Sequence, residues 1–518
     1  MEPGINSGQG RVREQQAQAL RLVLRASVAI AATSSAIAFV VMLLAFAANL
    51  AVLSQGPDRV RQTLNHAIDD GSFFDTSAIS PWGIFFVRKG DEVPSSYQYQ
   101  TYHYDCMIWR MVLAEPPGGL LTKVLRNPRP QTALLPRDPR FLPECQTLSP
   151  LLASDGAMNA STGQDYYDRY ILGQRAIAQV MLDHFSVQTA GAITRGLVAG
   201  AFTLAFILAW RKRAATVACI AALFLLFQPL SLFGSVLNFA PLDFLHALIL
   251  ISALYLPFGT VRPAYLVLIG ALYGSFIAVF EILTGGIPMA LALMALLTGA
   301  SARDQRGLVE RVAILAGAFT TAVIACFAIK VIAIALMFGA GIFADFWDAL
   351  LHRINGDLPA EMSPKVIEYL AAHGIDAVRH PIYYMLATYA YWSLLIGWGS
   401  PIFGCALVIC GLGALIASTV SFYRRRSAYP PALVSCWMGM AVIVGWVLLF
   451  QNHTVLHAFM MARLLLIPVL CGSVATLVRL QLHDPRGFGA GRGGSGGGLG
   501  LTYNAMTANE RPMETSDC

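Results

Sequence analysis

Charge is what this sequence has least of. Only 13% of its 518 residues are Asp, Glu, Lys or Arg, and 56% are hydrophobic. A soluble globular chain carries roughly 25% charged residues, so this composition, with a mean hydropathy of +0.58, excludes an ordinary soluble enzyme. No basic tract interleaved with aromatic residues is present, which excludes a nucleic-acid groove; the net charge of +6 has another origin. The short alternating segments of a transmembrane β-barrel are missing, and so is an HExxH zinc helix. No internal repeat of the kind common in transporters is visible. A cleaved signal peptide is also absent, because the first apolar run is about twice the roughly 7–15 residues such a signal contains.

What the chain does contain is apolar runs that repeatedly reach the roughly 20 residues needed to cross a bilayer as a helix. They predict an all-α polytopic membrane protein with about ten transmembrane helices and a large first extracytoplasmic loop. Residues 1–25 form a cytoplasmic segment, Ala26–Leu53 the first span, and 54–189 the extracytoplasmic loop. Nine further spans are expected at Ala190–Trp210, Ala214–Phe233, Phe244–Leu256, Ala264–Leu283, Ile287–Leu297, Val312–Phe343, Pro401–Phe422, Ala432–Phe450 and Phe459–Val478. They make up a bundle over 190–480, interrupted by a second polar extracytoplasmic segment at 345–391 that reads as a helical insertion. A Gly-rich tail over 481–518 reads as a disordered linker. The positive charge follows this topology: Arg211-Lys212-Arg213, then Arg303, Arg306 and Arg311, then Arg424-Arg425-Arg426 all fall on one side. Such clusters hold loops in the cytoplasm.

The long loop is the one extended polar stretch, and the run YQTYHYDCMIWRMVL at its centre places Asp105 between tyrosines and an apolar segment. That segment reads as a helix lying against the membrane. Asp105 is then either a helix N-cap or a surface carboxylate able to take a proton from an acceptor hydroxyl. Asp69 and Asp70 compete for the catalytic role. As adjacent carboxylates beside Gly71 they make either a turn or a site for a divalent cation such as Mg or Mn. Cys106 and Cys145 lie in the same loop and are candidates for a disulfide if it faces an oxidising compartment. The loop shows no independent core in its sequence.

Four residues near the last two spans, Asn452, His453, His457 and Arg463, read either as a phosphate site built from imidazole and guanidinium or as a snorkelling belt. Glu281 and Lys330 fall within or at the edge of spans, where ionisable groups point to function; they either pair with each other or mark an ion path. The stretch DYYDRYILGQRAI sets Asp168, Arg169, Tyr170 and Arg175 before the second span, as an interfacial belt or a binding element.

Taken together, these residues resemble the GT-C fold class of membrane glycosyltransferases, in a bacterial multi-spanning branch. The likeness rests on Asp105 before an apolar stretch, on an R-Y-x-x-G element at Arg169, Tyr170 and Gly173, and on an N-H-x-x-x-H-x-x-x-x-x-R element at Asn452, His453, His457 and Arg463. It extends to about Arg479, and the EILTGGIP stretch and Lys330 belong to it. The resemblance implies a multi-pass enzyme of the bacterial inner membrane with its active face outside. Such an enzyme takes sugar from a polyprenyl-phosphate donor and delivers it to an envelope glycan or lipid acceptor. Asp105 would be the base, and Arg463 with an imidazole would stabilise the leaving phosphate. The metal-binding DxD or Asp-Glu pair of some members has no counterpart around Asp105. A transporter or flippase of lipid-linked glycans would share the spans, the basic mouth, Glu281 and Lys330.

Overall fold

A computed structural model describes residues 7–70, 77–79, 85–87, 102–116, 118–130, 148–153, 164–168, 170–227, 239–281, 285–355, 401–426, 428–450, 454 and 462–483. Arg169, Cys145, Asn452, His453, His457 and the tail beyond 483 lie outside that set.

The first helix, α1 (Ser7–Leu53), is followed by four short helices, α2 (Asp58–Asp69), α3 (Tyr102–Leu113), α4 (Gly119–Arg126) and α5 (Leu148–Ala153), and then by α6 (Gln174–His184). Next come α7 (Val187–Arg211), α8 (Ala215–Phe227), α9 (Ala240–Tyr255), α10 (Pro263–Phe280), α11 (Gly286–Gly299), α12 (Gln305–Phe338) and α13 (Gly341–Asn355). The chain closes with α14 (Pro401–Arg424), α15 (Pro431–Leu449), a 3-10 turn (Ala462–Leu465) and α16 (Leu466–His483). Among the described residues, strands are confined to two antiparallel ladders of three-residue strands, β1 (Ser77–Ile79) with β2 (Phe85–Val87) and β3 (Pro128–Pro130) with β4 (Gln164–Tyr166).

Among the described residues, seven stretches are long and apolar enough to cross a membrane: Arg21–Leu53, Val187–Arg211, Pro263–Phe280, Gln305–Phe338, Ala406–Arg424, Pro431–Leu449 and Arg463–Gln481. They leave Leu44, Leu197, Ile324, Leu336, Ile409 and Leu448 on the outside, an apolar surface too large for water and suited to lipid. Three shorter apolar helices, α8, α9 and α11, bring the apolar helices to ten. The 16 residues of α9 and the 14 of α11 span only about 21–24 Å at 1.5 Å per residue, against roughly 30 Å of hydrocarbon. Both stop short of one face, and polar side chains gather where they begin.

Small residues let the spans approach closely, as membrane helices require. A Cβ on Gly270 of α10 would meet the Leu315 carbonyl of α12 at 2.5 Å, and Gly274 rests on the Phe319 carbonyl one turn on. Gly411 of α14 lies against Pro468 of α16, and Gly472 against Gly411 in return.

The two ends of the bundle are distinguished by their contacts. At one end Lys212 donates to Leu254 O at 3.1 Å, Gly259 N donates to Ser301 Oγ at 2.8 Å, Gln305 donates to Tyr429 O at 2.8 Å, and Arg311 donates to Val261 O. The arginine clusters of the sequence therefore share one face. The opposite end carries a small domain formed by α2, α3, α5, α6 and the start of α7, with its own core of Val60, Leu64, Trp109, Leu151, Leu182 and Ala190 among others. This domain departs from the expectation of a loop without a core. Its apolar positions are spread over short helices joined by long polar segments, so no single window of sequence shows them. The segment after Asp105 departs too. All of Cys106 to Ala114 is buried, so α3 is the centre of this domain and not a helix on the membrane surface.

Candidate functional site

One helix supplies much of the polar contact between the loop domain and the bundle. The inner face of α6 carries Gln174, Arg175 and Gln179, all buried, and each caps the carbonyl end of a different helix. Gln174 donates to Phe280 O at the end of α10. Arg175 donates to Lys123 O at 2.6 Å and Val124 O at 2.9 Å in the last turn of α4. Gln179 donates to Val52 O at 3.0 Å and Gly56 O at 2.8 Å at the end of α1. The last carbonyls of a helix have no partner within it, and a buried terminus needs such donors. Burial pulls the Arg175 guanidinium down to about 9, still protonated at neutral pH and so complementary to the negative end of the α4 dipole.

Beside α6, the turn carrying Tyr170 and Gly173 is pressed onto α10. Gly173 N donates to Val279 O at 3.0 Å, and a Cβ at Gly173 would lie 2.6 Å from Val279 Cγ1 and 2.9 Å from Phe280 Cε1. Only glycine fits this approach. The carbonyl of Tyr170 accepts from Asn127 Nδ2 at 2.5 Å and from Lys330 Nζ. Lys330 is fully buried in α12, and Arg175 and Asp168 are the charges that act on it. It is satisfied by a main-chain oxygen and not by Glu281, so the cross-helix pair, one of the two readings of these residues in the sequence, does not form. Arg126 completes this seam: it pairs with Asp168 at 2.9 Å and stacks over the Tyr166 ring at 3.9 Å.

The second polar group lies among the ends of the short helices. Asp243, in the first turn of α9, accepts from Arg463 in the 3-10 turn before α16, at 2.8 Å with both side chains buried. Glu281 caps α10, and its Oε2 is the nearest atom to a Cβ built on Gly286, the first residue of α11, with Leu242 of α9 beside it. The starts of α9, α11 and α16 thus meet around two carboxylates and one guanidinium. Helix N-termini favour negative charge, which accounts for the carboxylates here. One turn deeper, His246 Nδ1 and Tyr273 Oη share a 2.6 Å hydrogen bond, while His246 Nε2 has no hydrogen-bond partner among the described residues.

Asp105 sits on the first turn of α3 and is 2% exposed. The helix begins three residues earlier at Tyr102, so Asp105 is not its N-cap. Cys106, next to it, is disulfide-bonded; the expected partner, Cys145, lies outside the described residues. Asp69 and Asp70 are exposed at the end of α2, and among the described residues no cluster of three or more His, Cys, Asp or Glu side chains could hold a metal ion. Of the remaining sequence candidates, Arg463, Glu281, Lys330 and Tyr170 are buried within the two polar groups just described. Sequence reading missed Asp243, His246, Tyr273, Gln174 and Gln179. Asp243 and His246 were detectable by the rule that singled out Glu281 and Lys330, as ionisable residues inside an apolar run.

Fold and site together define a multi-pass, predominantly helical membrane protein whose first loop is a packed domain capping one end of the bundle. The chain matches no family model, no curated protein and no solved structure.

Proposed function

We propose that this protein is a membrane glycosyltransferase of the GT-C kind. It moves a sugar from a polyprenyl-phosphate donor to a glycan or lipid acceptor on the outer side of a bacterial inner membrane. The observation that carries this reading is the placement of the buried Arg463–Asp243 pair among three helix starts, at a bundle end covered by a domain with its own buried carboxylate, Asp105. A donor of this kind has its phosphate at the membrane boundary and its prenyl chain in lipid, and a cation at that depth meets the phosphate. Asp243 holds the Arg463 guanidinium in one orientation, from which it can stabilise charge developing on the leaving phosphate. Asp105 deprotonates the acceptor hydroxyl, which attacks the anomeric carbon from the face opposite the phosphate and gives inversion. The arginine clusters at the other end support an outward-facing loop domain.

The test is sugar release from a panel of polyprenyl-phosphate sugars by the purified protein, comparing wild type with Asp105→Asn at matched thermal stability. Release by wild type that is lost in the variant is the expected result. Release that survives in the variant would move the base to Asp69 or Asp70. A flippase of lipid-linked glycans is the second reading, favoured by the shortened helices α9 and α11 that begin at charged residues, since transporters bind cargo at broken helices. Binding of lipid-linked glycans without turnover of any donor would select it.

A further inference from the structure

The helix that follows α12 has three distinct faces. Gly339, at φ 104°, ends α12, and α13 folds back so that Ile342 and Phe346 pack against Val331, Ile334 and Leu125. Asp345 and Asp348 occupy a second, exposed face. Phe343, Trp347 and Leu351 form a third, at the four-residue spacing that aligns side chains along a helix with about 3.6 residues per turn, and they are 48%, 57% and 42% exposed.

We propose that α13 lies in the membrane boundary at the loop-domain end, with Phe343, Trp347 and Leu351 seated among lipid acyl chains. Depth comes from the protein-facing side. Val331 and Ile334 lie in the last turns of the apolar span Gln305–Phe338 and cluster with Leu125 of the loop domain, so a helix packed against them sits at the end of the span, where bundle and loop domain meet. Continuity supplies the second argument. The outer surface of α12 exposes Ile324, Ile332 and Leu336, the last at 80%, and the exposed α13 stripe follows in the chain directly after the Gly339 break. The acidic face then points to water. This three-way division is that of an interfacial helix, whose apolar side enters about 5–10 Å into the headgroup and acyl boundary, with tryptophan at its preferred level.

The inference does not depend on transfer chemistry and is tested without it. The full-length protein is reconstituted in nanodiscs whose acyl chains carry bromine either near the headgroup or near the bilayer centre. The emission of Trp347 is taken as the difference between wild type and Trp347→Phe. Shallow bromines are expected to quench it roughly twofold and deep ones less, as interfacial insertion requires. A second probe, Leu351→Trp in the Trp347→Phe background, is expected to behave alike. Unquenched emission at the wavelength of a water-exposed indole would overturn the proposal. Unquenched but blue-shifted emission would overturn it too, by placing the stripe under protein, either a second copy or residues 356–400.

Discussion

Arg463 and Asp243, 220 residues apart in the chain, meet at 2.8 Å inside the bundle. Removing one partner breaks a buried ion pair, which typically costs about 3–5 kcal/mol. Arg463→Met and Asp243→Leu should each lower the thermal midpoint sharply, while the double variant recovers most of the loss, because well-packed apolar replacement of a buried pair is close to neutral. Unfolding of all three proteins in the same detergent checks this. A double variant as unstable as either single one would show that the two charges have other indispensable partners.

Gly173 tests the seam between loop domain and bundle. Its φ is negative, so the backbone tolerates any residue, and the constraint is the contact with Val279 and Phe280. Gly173→Ala should push the Tyr170 turn off the end of α10 at a cost of about 1–3 kcal/mol, the usual range for overpacking. Amide exchange should accelerate at the end of α10 and the start of α6 and stay unchanged near Lys212 and Arg311. Uniform exchange across the protein would contradict a local seam.

The parts that were legible in the sequence are those with a one-dimensional signature. Of the ten apolar runs read as spans, seven overlap helices long enough to cross and three overlap shorter apolar helices, while the run Val312–Phe343 overshoots α12, which ends at Phe338; lipid demands continuous apolar length, and the arginines mark one side. Glu281 and Lys330 stood out as charges in apolar surroundings, but their partners did not. Lys330 bonds to a main-chain oxygen 160 residues away, and any residue type supplies such an oxygen. The domain around α3 was illegible for a related reason. Asp105 and Trp109 are buried by helices distant in sequence, and the spacing within YHYDCMIWRMVL fits a buried helix and a surface helix equally well. Gln174 and Gln179 look like ordinary polar residues on an amphipathic helix. Their role exists only once the carbonyl ends of α10 and α1 are placed beside them.

Lys330 separates structural from functional use of a buried cation. Its acceptor, Tyr170 O, also receives Asn127 Nδ2, so the carbonyl stays satisfied when the lysine is removed. Lys330→Met should therefore fold normally and change stability by no more than about 1 kcal/mol, since the lost bond and the relieved desolvation oppose each other. Lys330→Glu should misfold, as it faces the Tyr170 carbonyl with an anion. If Lys330→Met keeps its thermal midpoint but loses sugar release, the lysine acts on substrate; if both are retained, it serves the seam alone.

Lys123 gives the protein a pH dependence that can be predicted in sign. It is buried on α4 outside the spans, and desolvation, followed by the nearby Arg175 charge, lowers it from 10.5 to about 8. Between these two values the unfolded chain binds a proton that the folded one does not, so stability rises as pH increases through this window. Below about pH 8 the folded protein carries the full cost of a buried ammonium, at most about 3 kcal/mol for a shift of this size. Denaturant unfolding of the wild type should therefore show a rising midpoint from pH 8 to 10; Lys123→Met should remove the rise below about pH 9, above which Arg175 adds a rise of the same sign, and should be the more stable protein at pH 7. Arg175 sharpens the test because it is the second cause of the shift. Arg175→Met removes one repulsion and moves the Lys123 transition to higher pH, at the cost of uncapping α4. A wild type whose stability falls over this window would show that another group titrates in the opposite sense and outweighs Lys123.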